Sequence, residues 1–162
     1  MKDIALKRRA RVRSKEARNI LAWMSDEFGI SIDGVDAIES GTLEGKRAYV
    51  IENKLVAVEG FPGLLLTLHG IILLKPGKRW ITVDMGAVKF LANGADVMSP
   101  GIVDADPDID KDDIVWIRDE KNLRPLCVGK AIMTGPEMIS SKSGKAVKTL
   151  HFVGDPIWNA DL

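Results

Sequence analysis

Apolar side chains recur at Ala17, Ile20, Leu21, Met24 and Phe28, the three-to-four spacing of one helical face, with Ser14 placed to cap that helix and Gly29 to end it. Ahead of it, Ile4 and Leu6 alternate with Ala5 and Lys7 as a short strand does. Behind it the helical period disappears. Residues 47–52 and 54–59 read as two strands joined around Asn53, and 64–68 as a further apolar strand. Between them, residues 41–47 bear a superficial likeness to a phosphate loop. Three rather than four residues separate Gly41 from Gly45, and Arg47 stands where a magnesium-binding hydroxyl is needed, so this stretch is expected to be a turn. Pro76-Gly77 marks a junction.

Beyond the junction the pattern predicts strands at 79–83, 97–102, 113–118, 125–133 and 146–153, a spacing that favours a barrel or sandwich. Two helices interrupt them. Asp84 caps and Gly94 closes residues 85–93, with Val88 and Leu91 on the buried side; Thr134 and Glu137 have the spacing of a capping box before Met138 and Ile139. The fold class expected is α+β, with a small α+β domain over residues 1–74 and a mainly β domain over 75–162. The first is near the lower size limit for a self-sufficient core.

Composition narrows the function. The chain has 162 residues, 46% of them hydrophobic and 28% charged, enough for one ordinary domain or two small ones. Its longest apolar runs, 64–68 and 71–74, are far shorter than the roughly 20 residues of a membrane-spanning helix, so no membrane partner is expected. The basic opening leads into a charged helix rather than an apolar core, unlike a secretory signal, and the expected location is the cytoplasm. Cys127 is the single cysteine, which excludes an internal disulfide and a multi-cysteine zinc site; Leu126 and Val128 beside it suggest a buried thiol.

No set of residues selects a catalytic chemistry, and no cofactor is expected. Asp104, Asp106, Asp108 and Asp110 have the look of a calcium loop, but Ile109 and Val115 occupy the places of the required glycine and bidentate glutamate. His69 and His151 lie in no nucleophile or zinc motif, and nothing singles out a pair of carboxylates. Charge is more informative. The formal net charge is zero, yet residues 1–18 hold eight basic side chains (Lys2, Lys7, Arg8, Arg9, Arg11, Arg13, Lys15, Arg18) against Asp3 and Glu16. A basic end of this kind is the footprint of a polyanion partner, although a solvated face would look the same.

The stretch VDMGAVKFLANGADVMSPGI adds a second candidate surface. Its glycines have structural uses, as close helix packing at Gly86 and a helix stop at Gly94. The order as a whole also leaves Lys89 free for a phosphate, opens backbone groups around residues 93–96 and offers Met98 to a base. This run resembles the helix, glycine loop and second strand of the PUA domain, an RNA-binding barrel. RPLCVGKAIMTGPEMISSKSGKAVKTLHFVGDPIW is similar to the rest of it, including a terminal strand with Asp155 and Trp158. PGLLLTLHGIILL, at 62–74, is similar to the segment before the barrel in the malignant T-cell-amplified protein family, so the likeness covers nearly the whole chain.

The resemblance implies a pre-PUA domain followed by a PUA pseudobarrel of five or six strands with short helices. It further implies a role in translation at the small ribosomal subunit and the acceptor end of tRNA. Carried over, the RNA face comprises Gly86, Lys89, Asn93, Gly94, Ala95, Asp96, Val97 and Met98, while Arg8 and Arg11 are expected to meet backbone phosphates. The likeness also implies a partner resembling density-regulated protein. Two features depart from the family: the arginine-rich start, and the acidic 104–113 loop, which should keep away from phosphates. The reading is a non-catalytic binder of tRNA or ribosomal RNA. Its alternatives are an RNA-recognition subunit of a tRNA- or rRNA-modifying enzyme and a small-molecule or enzymatic barrel; co-purifying ribosomal subunits, a modifying enzyme or a metabolite distinguishes them.

Overall fold

The computed structural model describes residues 3–61 and 63–162. Lys2 of the basic start and Pro62 of the apolar segment fall outside the described residues. The chain divides into two compact units, one reaching Lys78 and including Asp155–Leu162, the other formed by Arg79–Gly154. This differs from the division at 74/75: residues 75–78 and 155–162 belong with the first unit.

The first unit contains β1 (Leu6–Arg11), α1 (Ser14–Phe28), β2 (Glu39–Leu43), β3 (Lys46–Ile51), β4 (Lys54–Glu59), β5 (Leu64–Leu66) and α2 (Leu68–Leu74). Its strands form one antiparallel sheet in chain order. The α1 helix buries Ile20, Met24 and Phe28, and Gly29 ends it in the left-handed conformation, its N–H donating to the Ser25 carbonyl while that of Ile30 donates to the Met24 carbonyl. Ser14 is not its cap. Val12 N–H still reaches back to the Ile38 carbonyl, and the helix ladder starts with Ala17 N–H on Arg13 O, which places Ser14 inside the first turn.

Two further expectations change here. The supposed turn at 41–47 is a hairpin, β2 to β3, in which only Glu44 and Gly45 turn. Gly41 lies within β2, and the position needs glycine because a Cβ there would stand 2.7 Å from the Lys7 carbonyl oxygen. The apolar strand expected to reach Leu68 stops at Leu66. Thr67 caps α2, its Oγ1 accepting the Gly70 N–H at 3.0 Å and donating to the Leu55 carbonyl.

Residues 155–162 form turns instead of a terminal strand. Asp155 accepts the Trp158 N–H at 2.8 Å, and the Trp158 ring stacks on His69 at 4.0 Å. Leu6 N–H donates to Asp161 O and Asp161 N–H to Ile4 O. Ile157 and Ala160 pack on the cluster of Ile4, Leu6, Leu43 and Val58.

The second unit contains β6 (Trp80–Val83), α3 (Met85–Leu91), β7 (Val97–Met98), β8 (Ile102–Ala105), β9 (Ile114–Asp119), β10 (Pro125–Ala131), α4 (Gly135–Ser140) and β11 (Lys145–Phe152). The strand expected over 97–102 is broken by a 3₁₀ turn at Ser99–Gly101, with Pro100 in its first turn. The sheet order is β7-β11-β10-β9-β6-β8, and β6 runs parallel to β9. The strands at the two ends of this order, β7 and β8, are consecutive in the chain. Six flat strands would separate them by about 24 Å, whereas the intervening residues reach only about 14 Å. The sheet therefore curls into a pseudobarrel around Ile81, Val83, Val115, Ile117 and Val147. Burial pushes the Cys127 thiol of this core up to about 12. In the acidic loop, Asp106 accepts the N–H groups of Arg79 and Asp108, stabilising the loop's own turns. No helix among the described residues is long and apolar enough to cross a membrane.

Candidate nucleic-acid interface

The helix α3 starts where the sequence places it, because Asp84 Oδ1 accepts the Ala87 N–H at 3.0 Å while Leu91 anchors the inner face in the barrel core; the helix proper stops at Leu91 rather than residue 93, and residues 92–94 form a turn. Gly94, with φ of +84°, ends it: its N–H donates to Leu91 O and that of Ala95 to Phe90 O. The following loop is fastened to β11, since Thr149 N–H donates to Asp96 Oδ1 at 2.9 Å and Thr149 Oγ1 to Ala95 O at 2.8 Å.

A cleft of about 650 Å³ opens between α3, this loop, β7 and the Ser99–Gly101 turn. Of the eight residues expected on the RNA face, Gly86, Ala95, Asp96, Val97 and Met98 line it. Val97, at 2% exposure, contributes mainly to the barrel core. The other three stand behind or beside the opening. Asn93 donates its amide to Lys89 O at 3.1 Å, Gly94 packs against Phe152, and the Lys89 ammonium lies 5.2 Å from the Phe90 ring centre on the exposed side of α3. Arg8 and Arg11 belong to the first unit and line a groove of their own.

Phe90 and Lys145 are among the lining residues that the sequence pattern did not place on this face. Phe90 is 58% exposed and Met98 49%, so the cleft presents an aromatic ring and a flexible thioether to solvent. Phe90 could have been found from the helical period, which turns it away from Val88 and Leu91. Lys145 could not. It is brought to the cleft by pairing of β11 with β7, where it is the partner of Met98. Its ammonium lies 2.8 Å from Asp96 Oδ2, with Lys148 at 3.8 Å.

Burial acts to raise the Asp96 carboxyl, but the Lys145 hydrogen bond, the Thr149 N–H and the two lysine charges outweigh it and hold the group below the usual carboxylate range. The sign follows from a folded-state value below the unfolded one. Asp96 contributes its full stabilisation above about pH 3.9, the unfolded value, and loses it as pH falls through the lower folded value. Chemical denaturation across that acid range should therefore show a steeper loss for the native chain than for Asp96→Asn. Parallel curves would mean that the lysine contacts do not stabilise the loop.

Residues 79–153 match the PUA domain family. An uncharacterised protein of Methanocaldococcus jannaschii is 43% identical over 122 residues, 75% of either chain. Translation machinery-associated protein 20 of Saccharomyces cerevisiae is 27% identical over 165 residues, covering 93% of this chain and 91% of its own. Among solved structures, a conserved PUA domain protein from Thermoplasma acidophilum superposes with a TM-score of 0.81 at 32% identity, over 91% of this chain and 95% of that one. The curled sheet and short helices of the Arg79–Gly154 unit agree with these likenesses, and the chain belongs to the PUA-domain proteins of the malignant T-cell-amplified family.

Proposed function

We propose that this protein binds RNA in the translation apparatus without catalysing a reaction, and that the α3–β7 cleft takes an unpaired segment such as the acceptor end of tRNA or a strand of small-subunit ribosomal RNA. The observation that carries this reading is the exposed Phe90 and Met98 in a cleft that Lys145 also lines, with the Lys89 ammonium 5.2 Å from the Phe90 ring centre. A paired base cannot reach such a surface, whereas an unstacked base can lie on Phe90 and Met98 while its phosphates meet the lysines. The name of the yeast relative, translation machinery-associated protein 20, supports the setting. On this reading the protein acts on ribosomal subunits and works in the cytoplasm. A protein partner resembling density-regulated protein belongs to the same reading and is tested by co-purification.

Phe90→Ala should weaken binding of a single-stranded RNA end by about 1–3 kcal/mol, the worth of one base stacked on an aromatic ring. Titration of full-length tRNA and of tRNA trimmed at its 3′ end, with native and variant protein, reads this directly. Trimming should matter for the native protein and much less for the variant. If both proteins bind both RNAs alike, the cleft is not the recognition surface.

A further inference from the structure

A groove of about 520 Å³ lies in the first unit where β1 leads into α1, and Arg8, Arg11, Arg13, Lys15 and Arg47 line it. Its one carboxylate, Glu16, is held by the Arg47 guanidinium, with Nε donating to Oε2 at 3.1 Å. Neighbouring Arg9 is engaged elsewhere, gripping Glu39 through two hydrogen bonds of 2.9 and 3.0 Å. Arg8, Arg11, Arg13 and Lys15 make no side-chain hydrogen bond or ion pair among the described residues.

Local structure disfavours this collection of charge in the free protein. Arg8 occupies a bulge between Lys7 and Ala10 with φ of +57°, a conformation that side chains with a Cβ seldom adopt. Arg13 sits at the N-cap of α1 without a capping bond, and Lys15 in its first turn, both at the positive end of a 15-residue helix. Each cation also repels the others. Protection of an outer strand against unwanted pairing accounts for basic residues on β1. It does not account for Arg13 at the helix cap, Lys15 in its first turn or Arg47 on β3.

We infer that this groove seats the sugar-phosphate backbone of a base-paired RNA segment, recognised by charge and shape. The inference takes RNA as partner from the proposed function but assigns it a different surface and form. The groove has no aromatic lining residue, and its apolar lining is confined to Ala10 and Val12, so an unpaired base finds no platform there. A duplex keeps its bases stacked inside and turns its phosphates outward, where the three unengaged guanidinium forks of Arg8, Arg11 and Arg13 can each meet two oxygens.

The test uses the full-length protein, a blunt RNA duplex without single-stranded ends, and the paired change Arg11→Glu with Arg13→Glu. A second variant, Arg11→Gln with Arg13→Gln, removes the charge without reversing it. Duplex affinity should fall at least tenfold for the Glu pair and by less for the Gln pair. The slope of log affinity against log salt should become shallower by roughly 0.9 for each phosphate no longer neutralised. The melting temperature of the free protein should rise as repulsion is relieved. Single-stranded RNA should lose less than the duplex. An unchanged duplex isotherm, a lowered melting temperature in both variants, or equal losses on duplex and single strand overturns the assignment. Failure of the cleft reading shows separately, as insensitivity of RNA 3′-end binding to Phe90→Ala.

Discussion

Gly94→Val should destabilise the Arg79–Gly154 unit by about 3 kcal/mol and weaken RNA binding with it. Two costs add at this position. The backbone is left-handed, with φ of +84°, where a β-branched residue is strained by about 1–3 kcal/mol. A Cβ would also stand 2.7 Å from Phe152 Cε1, so the ring must move out of its packing against the barrel core, at a further cost of about 1–3 kcal/mol. For a unit of this size the melting temperature should drop by more than about 10 °C. Binding should suffer because the displaced loop carries Ala95 and Asp96, which line the cleft. Thermal unfolding beside RNA titration below the lowered midpoint separates the two effects. Melting and affinity at native values would show that residue 94 does not adopt the left-handed backbone.

Removing Asp155–Leu162 should be comparably damaging, and the loss should fall on the first unit. The truncation deletes the backbone bonds joining Asp161 to Ile4 and Leu6, worth about 1 kcal/mol each. It also deletes Ile157, which packs on the Ile4–Leu6–Leu43 cluster, and Trp158, which stacks on His69. Burial of two such side chains contributes about 2 kcal/mol apiece. The sum, about 5 kcal/mol after allowance for partial exposure, is a large share of a typical domain's stability. By contrast, the isolated fragment 79–154 should unfold cooperatively, because every side chain of its core cluster lies within it. Urea denaturation of truncated chain and fragment, with hydrogen exchange at the Leu6 amide, reads both outcomes. A truncated chain as stable as the native one would show that the closing segment adds nothing to the first unit. A fragment without a transition would mean that the second core is incomplete by itself.

What could be read from the sequence was local. The inner face of α1, its stop at Gly29, the span of α3 between Asp84 and Gly94, and the Thr134–Glu137 capping box all depend on residues within about four positions of one another. Most of the PUA strands were legible for the same reason, and the resemblance assembled them into a barrel. The elements that were missed have weak or ambiguous local patterns. Glu39-Ser-Gly-Thr-Leu becomes β2 only because β1 and β3 flank it, and Gly41 is required by the approach of Lys7. The apolar run from Leu64 to Leu74 fits strand or helix equally well until Thr67, bonded to Leu55, decides where one ends and the other begins.

The candidate site divides along the same line. The sequence determined an amphipathic α3 ending at a glycine, an exposed Met98 and a cluster of cations near the start of the chain. Tertiary structure alone decided that Lys145 stands beside Met98, that Asp96 is already engaged by two lysines, and that Arg47 joins Arg8 and Arg11 in one groove. It also decided that the last eight residues return to the first unit. Helix periods and caps are set by neighbours a turn apart and so are written in the order of residues. Strand partners, clefts and charge clusters arise between residues tens of positions apart, and their identity is fixed only when the sheets close and bring those positions together.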